Sequence, residues 1–212
     1  IEVKGDFSRY VDDPYVEPGF SRESMDAEIE VIIIGGGFGG MLAAARLREI
    51  GIDDFRIIEK GGDFGGTWYW NRYPGASCDI ESYVYFPLLE KTDFVPKQKY
   101  TNAPETLEYC GVIAEKYSLH ENALLQTEVT ATEWDEELGR WRVSTNRADN
   151  ILAKYVVHSN GPLNRPKLPA IRGINDYKGH TFHTSRWDYA YTGGDSLSLI
   201  HISEPTRPTR IA

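Results

Sequence analysis

The chain of 212 residues holds only two cysteines, fewer basic than acidic side chains, and no long hydrophobic run. Cys78 and Cys110 lie far apart without CxxC spacing, so neither a zinc site nor a redox disulfide is expected, and a reduced, cytoplasmic setting fits. No apolar stretch approaches the roughly 20 residues that cross a bilayer, and no signal-peptide pattern opens the chain. The 23 Lys and Arg against 32 Asp and Glu leave a net charge of −9, which disfavours nucleic acid or an anionic membrane as the main partner. No internal repeat or low-complexity tract is present. The first residue is Ile1 rather than Met, which reads as a missing true N-terminus.

What is present centres on residues 29–66. Glu30 to Ile34 is a short, mostly β-branched run suited to a buried parallel strand. It leads directly into Gly35-x-Gly37-x-x-Gly40. In such a turn the first glycine makes the tight bend, the second lets a pyrophosphate approach the backbone, and the third lets the helix pack on the strand. The free N–H groups and positive end of the helix then face the phosphates. Ala44, Leu47 and Ile50 give the helix an apolar face and Gly51 stops it. A second strand over residues 55–58 ends at Glu59, where a carboxylate can accept hydrogen bonds from ribose hydroxyls and repels a 2′-phosphate. These residues leave FAD or NAD as the dinucleotide.

Around this unit, residues 1–27 are acidic and polar, with Phe7, Tyr10, Tyr15 and Phe20 interspersed; without periodicity they read as a partly ordered extension. The aromatic stretch TWYWNRYPGASCD after Gly66 is too rich in Pro, Gly and polar residues for regular structure. Residues 106–117 suit a helix with Leu107, Cys110, Ile113, Ala114 and Tyr117 on one face. Residues 123–133 and 140–145 read as strands joined by a turn at 135–139, and residues 151–157 as another strand running into Ser159-Asn160-Gly161-Pro162. Pro162, Pro166 and Pro169 then mark an extended linker.

Two further stretches narrow the reading. One is Gly65-Gly66-x-Trp68-x-x-x-x-Tyr73-Pro74-Gly75-x-x-x-Asp79; the other is Tyr177-x-Gly179-x-x-x-His183-Thr184-x-x-Trp187-Asp188. With the glycine turn they resemble the signature set of Baeyer–Villiger monooxygenases over about residues 27–195, departing only at Tyr177, where the usual residue is Phe. Thr184, Trp187 and Asp188 favour this family over the N- or S-oxygenating flavin monooxygenases, the alternative within the superfamily. A non-catalytic FAD-binding fragment is a second alternative, and the missing CxxCxxxxC pattern speaks against a disulfide reductase.

The resemblance implies an α/β fold: a Rossmann-like FAD-binding domain with a small antiparallel β insertion. It divides the chain into an extension (1–27), the first part of the FAD domain (28–162) and a linker bearing the second motif (163–195). It carries FAD contacts onto Gly35, Gly37, Phe38, Gly39, Gly40, Glu59, Lys60, Gly66, Thr67, Trp68, Asp79, Tyr85 and Val129. Asp79 is expected to be catalytic, as the carboxylate that holds an active-site arginine supplied elsewhere. Trp68 would wall the flavin off from water, with at least one of Trp68, Tyr69 and Trp70 a simple core residue. His183 and Trp187 would couple domain motions rather than transfer protons, and Cys78 would serve packing. The implied reaction uses FAD, NADPH and O2 to turn a ketone into an ester or lactone through a C4a-peroxyflavin. Residues 197–207 resemble one reading frame of a sequencing-library adapter, so residues 197–212 are expected to be foreign, with Ser196 undecided; the NADPH domain and the active-site arginine are expected to be missing.

Overall fold

A computed structural model describes residues 5–197, with side chains from Phe7 onwards. Apart from Leu197 itself, the expected foreign segment lies outside the described residues. The first strand, β1 (Asp26–Ile34), is longer than its apolar run. Its first two residues, assigned to the extension from sequence, already pair with Asn150 and Ile151 of β6 (Asn150–His158). Alternating side chains of β1 feed two cores, because successive strand residues point to opposite faces of a sheet. Val31 and Ile33 pack on the helical side, while Ile32 joins Ile58, Val143, Ile151 and Ala153 on the other.

Helix α1 (Phe38–Glu49) buries Met41, Ala44 and Ala45 against the sheet. Ile50, expected on that face, instead forms the C-cap that ends the helix, with non-helical backbone angles, and is 71% exposed. Strand β2 (Phe55–Ile58) runs parallel to β1, with Val31 opposite Phe55 and Ile34 opposite Ile58. Three single-turn helices follow: α2 (Thr67–Trp70), α3 (Ser82–Tyr85) and α4 (Leu89–Thr92). The first corrects the expectation of no regular structure in the aromatic stretch. Its three rings are buried, and that burial outweighs the poor local propensity. Helix α5 (Ala103–Lys116) begins three residues earlier than its apolar periodicity suggests, because Asn102 caps it: the side-chain oxygen accepts from the Glu105 N–H at 2.9 Å.

The run at 123–133 is not one strand. β3 (Ala123–Leu124) pairs parallel with β2 at one edge, and β4 (Val129–Asp135) lies at the opposite edge. Between them the chain crosses the end of β2: Gln126, at φ +49°, donates to Gly61 O and Thr127 donates to Glu59 O, both at 2.9 Å. Alternating residues read equally well through such a kink. β4, β5 (Arg140–Thr145) and β6 form an antiparallel meander, which completes the six-stranded order β3-β2-β1-β6-β5-β4. The expected antiparallel insertion therefore extends the parallel sheet. A short helical turn, α6 (Tyr189–Thr192), is the last described element. No helix among the described residues is long and apolar enough to cross a membrane.

Within the described residues, the N-terminal segment packs on the domain. Tyr10 is buried, the Tyr15 ring meets Tyr69 edge-on at 5.6 Å, and the Arg72 guanidinium sits 3.9 Å from the Tyr15 ring centre. Asp13 accepts from the Tyr69 hydroxyl at 2.7 Å and from the Gly62 N–H at 2.9 Å. Farther along, Arg22 grips the buried Asp149 carboxylate at 2.5 and 2.7 Å. Every partner is distant in sequence, which explains why periodicity carried no trace of this arm.

Candidate dinucleotide site

The ends of β1, β2 and β6 and the start of α1 surround a cleft of about 550 Å³, a size typical of ligand sites. Gly35, Gly37, Phe38, Gly39, Glu59, Lys60, Gly66, Thr67, Trp68, Tyr85 and Val129 all line it. The glycines are there for space. A Cβ on Gly40 would stand 1.8 Å from the Gly35 carbonyl oxygen, and one on Gly66 (φ +52°) 2.7 Å from the Gly37 Cα. Gly40 is buried behind the turn rather than in the cleft wall, as the third glycine of such a turn should be.

The first i→i−4 bond of α1 runs from the Met41 N–H to Gly37 O, so the earlier N–H groups have no acceptor within the helix. Gly37 provides no side-chain cap, and no acidic residue occupies the first turn. An uncompensated helix N-terminus with side-chain-free backbone before it fits a diphosphate. This is the test a bound dinucleotide must pass, and the cradle passes it.

Glu59 is 6% exposed, and its carboxylate accepts from the Gly36 N–H at 2.5 Å and the Gly61 N–H at 2.6 Å. It therefore fixes the shape of the glycine turn as well as facing the cleft; each oxygen keeps further acceptor capacity. Burial raises its pKa, and the two backbone donors oppose that rise. The Lys60 ammonium lies 5.3 Å from the Trp70 ring centre, and burial lowers its pKa.

The other wall is aromatic. Trp68 Nε1 donates to the Tyr85 hydroxyl at 3.0 Å, and the Tyr85 ring meets Phe38 at 5.5 Å. Burial, opposed by the Trp68 bond, raises the Tyr85 pKa, so its phenol stays protonated at neutral pH. Trp70 is fully enclosed. Cys78 packs with Trp68, Ala76 and Ala103, and neither cysteine forms a disulfide.

Four of the sequence-predicted residues are not in the lining of this cleft: Gly40, buried behind the turn, and Asp79, His183 and Trp187. Asp79 is exposed and outside the lining. His183 caps a short 3-10 turn (Thr184–Arg186), its Nδ1 accepting from the Ser185 N–H at 3.1 Å, with its ring 6.3 Å from Tyr10. Burial, then the nearby Arg186 charge, lowers its pKa, which keeps the ring neutral at pH 7. Trp187 donates to Thr192 Oγ1 at 3.0 Å and packs against Phe182 at 4.9 Å.

Several lining residues were not singled out as contacts from sequence: Thr127, Glu128 and the segment from Ser159 to Arg165. The segment follows β6, which lies beside β1, and the Ser159 N–H donates to Ile34 O at 2.9 Å. Its sequence signal was the Ser-Asn-Gly-Pro ending of a strand. Thr127 and Glu128 reach the cleft only through the crossover after β3, which has no such signal.

The sequence pattern described as pyridine nucleotide-disulphide oxidoreductase matches residues 32–195. The chain belongs to this family. A protein named Baeyer-Villiger monooxygenase from Streptomyces coelicolor is 51% identical over 194 residues, covering 92% of this chain and 32% of that protein. Among solved structures, the polycyclic ketone monooxygenase from the thermophilic fungus Thermothelomyces thermophila superposes with a TM-score of 0.84 at 38% identity, covering 92% of this chain and 34% of that one. A structure titled OTEMO complex with FAD and NADP gives 0.70 at 32% identity, covering 76% and 31%. The chain spans about a third of the length of the curated relatives it matches. The resemblance read from the motifs is therefore borne out.

Proposed function

We propose that the chain is the FAD-binding part of an FAD- and NADPH-dependent Baeyer–Villiger monooxygenase that converts a ketone into an ester or lactone. The observation that carries this reading is the glycine cradle at the N-terminus of α1, continuous with the Trp68–Tyr85 wall. Backbone N–H groups at Gly37, Phe38 and Gly39 would hold the diphosphate, and Glu59 the adjoining ribose. Gly66 and Thr67 would admit the flavin end close to the backbone, beside Trp68 and Tyr85. Bound FAD supplies the electron transfer from NADPH and the activation of O2 that no side chain can provide.

The residues here orient and shield. Trp68, held by the Tyr85 hydroxyl, excludes water from its side of the cleft. We assign the exposed carboxylate of Asp79 to an arginine contributed elsewhere in the whole protein, and His183 and Trp187 to coupling between domains. The capping bond of His183, whose Nδ1 accepts from the Ser185 N–H outside the cleft, supports that assignment over proton transfer.

Titrating the purified chain with FAD, FMN and NAD tests the cleft: FAD should bind, with FMN and NAD much weaker. Preference for NAD would overturn the flavin reading. For the whole protein, NADPH-dependent turnover of a ketone, a thioether and an amine separates the reactions; turnover of the heteroatom substrates alone would remove the Baeyer–Villiger assignment.

A further inference from the structure

Arg186 lies outside the cleft, yet it holds two residues that line it. Its guanidinium carbon is 4.5 Å from the centre of the Trp70 ring. Nη1 donates to its neighbour Ser185 O at 2.8 Å, Nε to Asp12 O at 3.3 Å, and Nη2 to Asn164 O at 3.5 Å. Trp70 and Asn164 both face the cleft, and Asp12 belongs to the N-terminal arm. The same indole also carries the ammonium of Lys60, a residue of the cleft lining. One fully enclosed ring is thus shared by a cation of the linker motif and a cation of the cleft. In a close-packed interior neither can shift without the other responding.

The energetics argue against Arg186 as filler. It is 7% exposed, and among the described residues no carboxylate forms an ion pair with it. Burial lowers its pKa, relieved only by the more distant fields of Tyr15, Asp13, Tyr69 and Asp12. A buried cation without a paired anion costs stability, and an apolar side chain of similar volume would avoid that cost. Its position is explained by what it holds.

We propose that Arg186 is a positioning residue for the flavin site: through Trp70 and Asn164 it fixes the cleft wall and the orientation of Lys60, so that the linker motif and the cleft shift together. This rests on the reading of the cleft as an FAD site. The histidine and tryptophan of the motif shape the turn, and the intervening arginine transmits its position.

The test compares Arg186→Met, Arg186→Lys, Lys60→Met and the Arg186→Met/Lys60→Met pair in the 212-residue chain. FAD affinity, urea unfolding without FAD, and the NMR titration of the 13C-labelled Lys60 side chain are measured. Arg186→Met should weaken FAD binding on the order of tenfold, about 1.4 kcal/mol, while the unfolding midpoint stays or rises. In the double variant the loss should be smaller than the product of the single losses, because both cations act through one ring.

Burial lowers the Lys60 pKa, Glu128 opposes this, Arg165 and Arg186 add to it, and Glu59 opposes. The titration should therefore move upward in Arg186→Met and stay in place in Arg186→Lys, which keeps the charge but loses the planar fork. Unchanged FAD affinity in Arg186→Met, or a fully multiplicative double variant, would overturn the proposal. Should Arg186→Met not fold, Arg186→Lys decides: weaker FAD binding with an unmoved Lys60 titration supports the proposal, and unaltered affinity overturns it. Should the wild-type chain bind no FAD, the reading of the cleft fails; an upward Lys60 shift would still support the Arg186–Lys60 linkage, and an unmoved titration would overturn it.

Discussion

At the scale of single residues, the cleft is shaped by missing side chains. Gly40 and Gly35 approach so closely that one added methyl must displace backbone. Gly40→Ala should cost about 3 kcal/mol of stability, read from urea unfolding, and should abolish FAD binding. Gly111 is the control. It lies inside α5, where a Cβ meets nothing within 4 Å, so Gly111→Ala should stabilise by roughly 0.5–1 kcal/mol. Glu59 shows the opposite economy, one side chain satisfying two backbone donors. Glu59→Gln turns an amide N–H towards one of those donors and should cost roughly 1–3 kcal/mol, with weaker FAD binding as the second readout.

At the scale of elements, the N-terminal arm is fastened at two points, by Asp13 on the Tyr69 and Gly62 loop and by Arg22 on the turn between β5 and β6. The Arg22 fastening has a pH signature. Burial alone would raise the Asp149 pKa, but donors from Arg22, Thr145 and the Met25 N–H outweigh it and hold it at about 2, below the ordinary 3.8. The folded-state value is depressed, so the contribution is fully present above about pH 4. It should fade as pH falls towards 2, amounting to about 2 kcal/mol. Urea midpoints measured from pH 5 to pH 2 should fall more steeply in the wild type than in Asp149→Asn; parallel slopes would show that the pair contributes nothing. The same scale explains the course of β4. A two-residue strand at one edge and a seven-residue strand at the other are consecutive in sequence, and the hydrogen bonds of Gln126 and Thr127 hold the crossing between them over the end of β2.

At the scale of the whole molecule, the cleft joins the glycine turn, the crossover after β3 and the segment after β6, so a ligand there ties together pieces far apart in sequence. FAD at about 100 times its Kd should add about 2.7 kcal/mol and raise Tm by roughly 5–10 °C in a thermal scan. No shift at saturating FAD would mean that the cleft does not hold it in the folded state. The sequence by itself determined the strand, the glycine turn, the helix and the acidic end of β2, because local sterics and hydrogen bonding dictate those residues over short spacing. It also carried the motifs that resemble the monooxygenases, since these are contiguous patterns. Only the tertiary structure decided that Tyr10 and Tyr15 pack, that Thr127 and Asn164 reach the cleft, and that Arg186 and Lys60 share Trp70. Such contacts join positions from ten to more than a hundred residues apart, and their energies come from burial and ring–cation geometry, which leave no period or spacing in the chain.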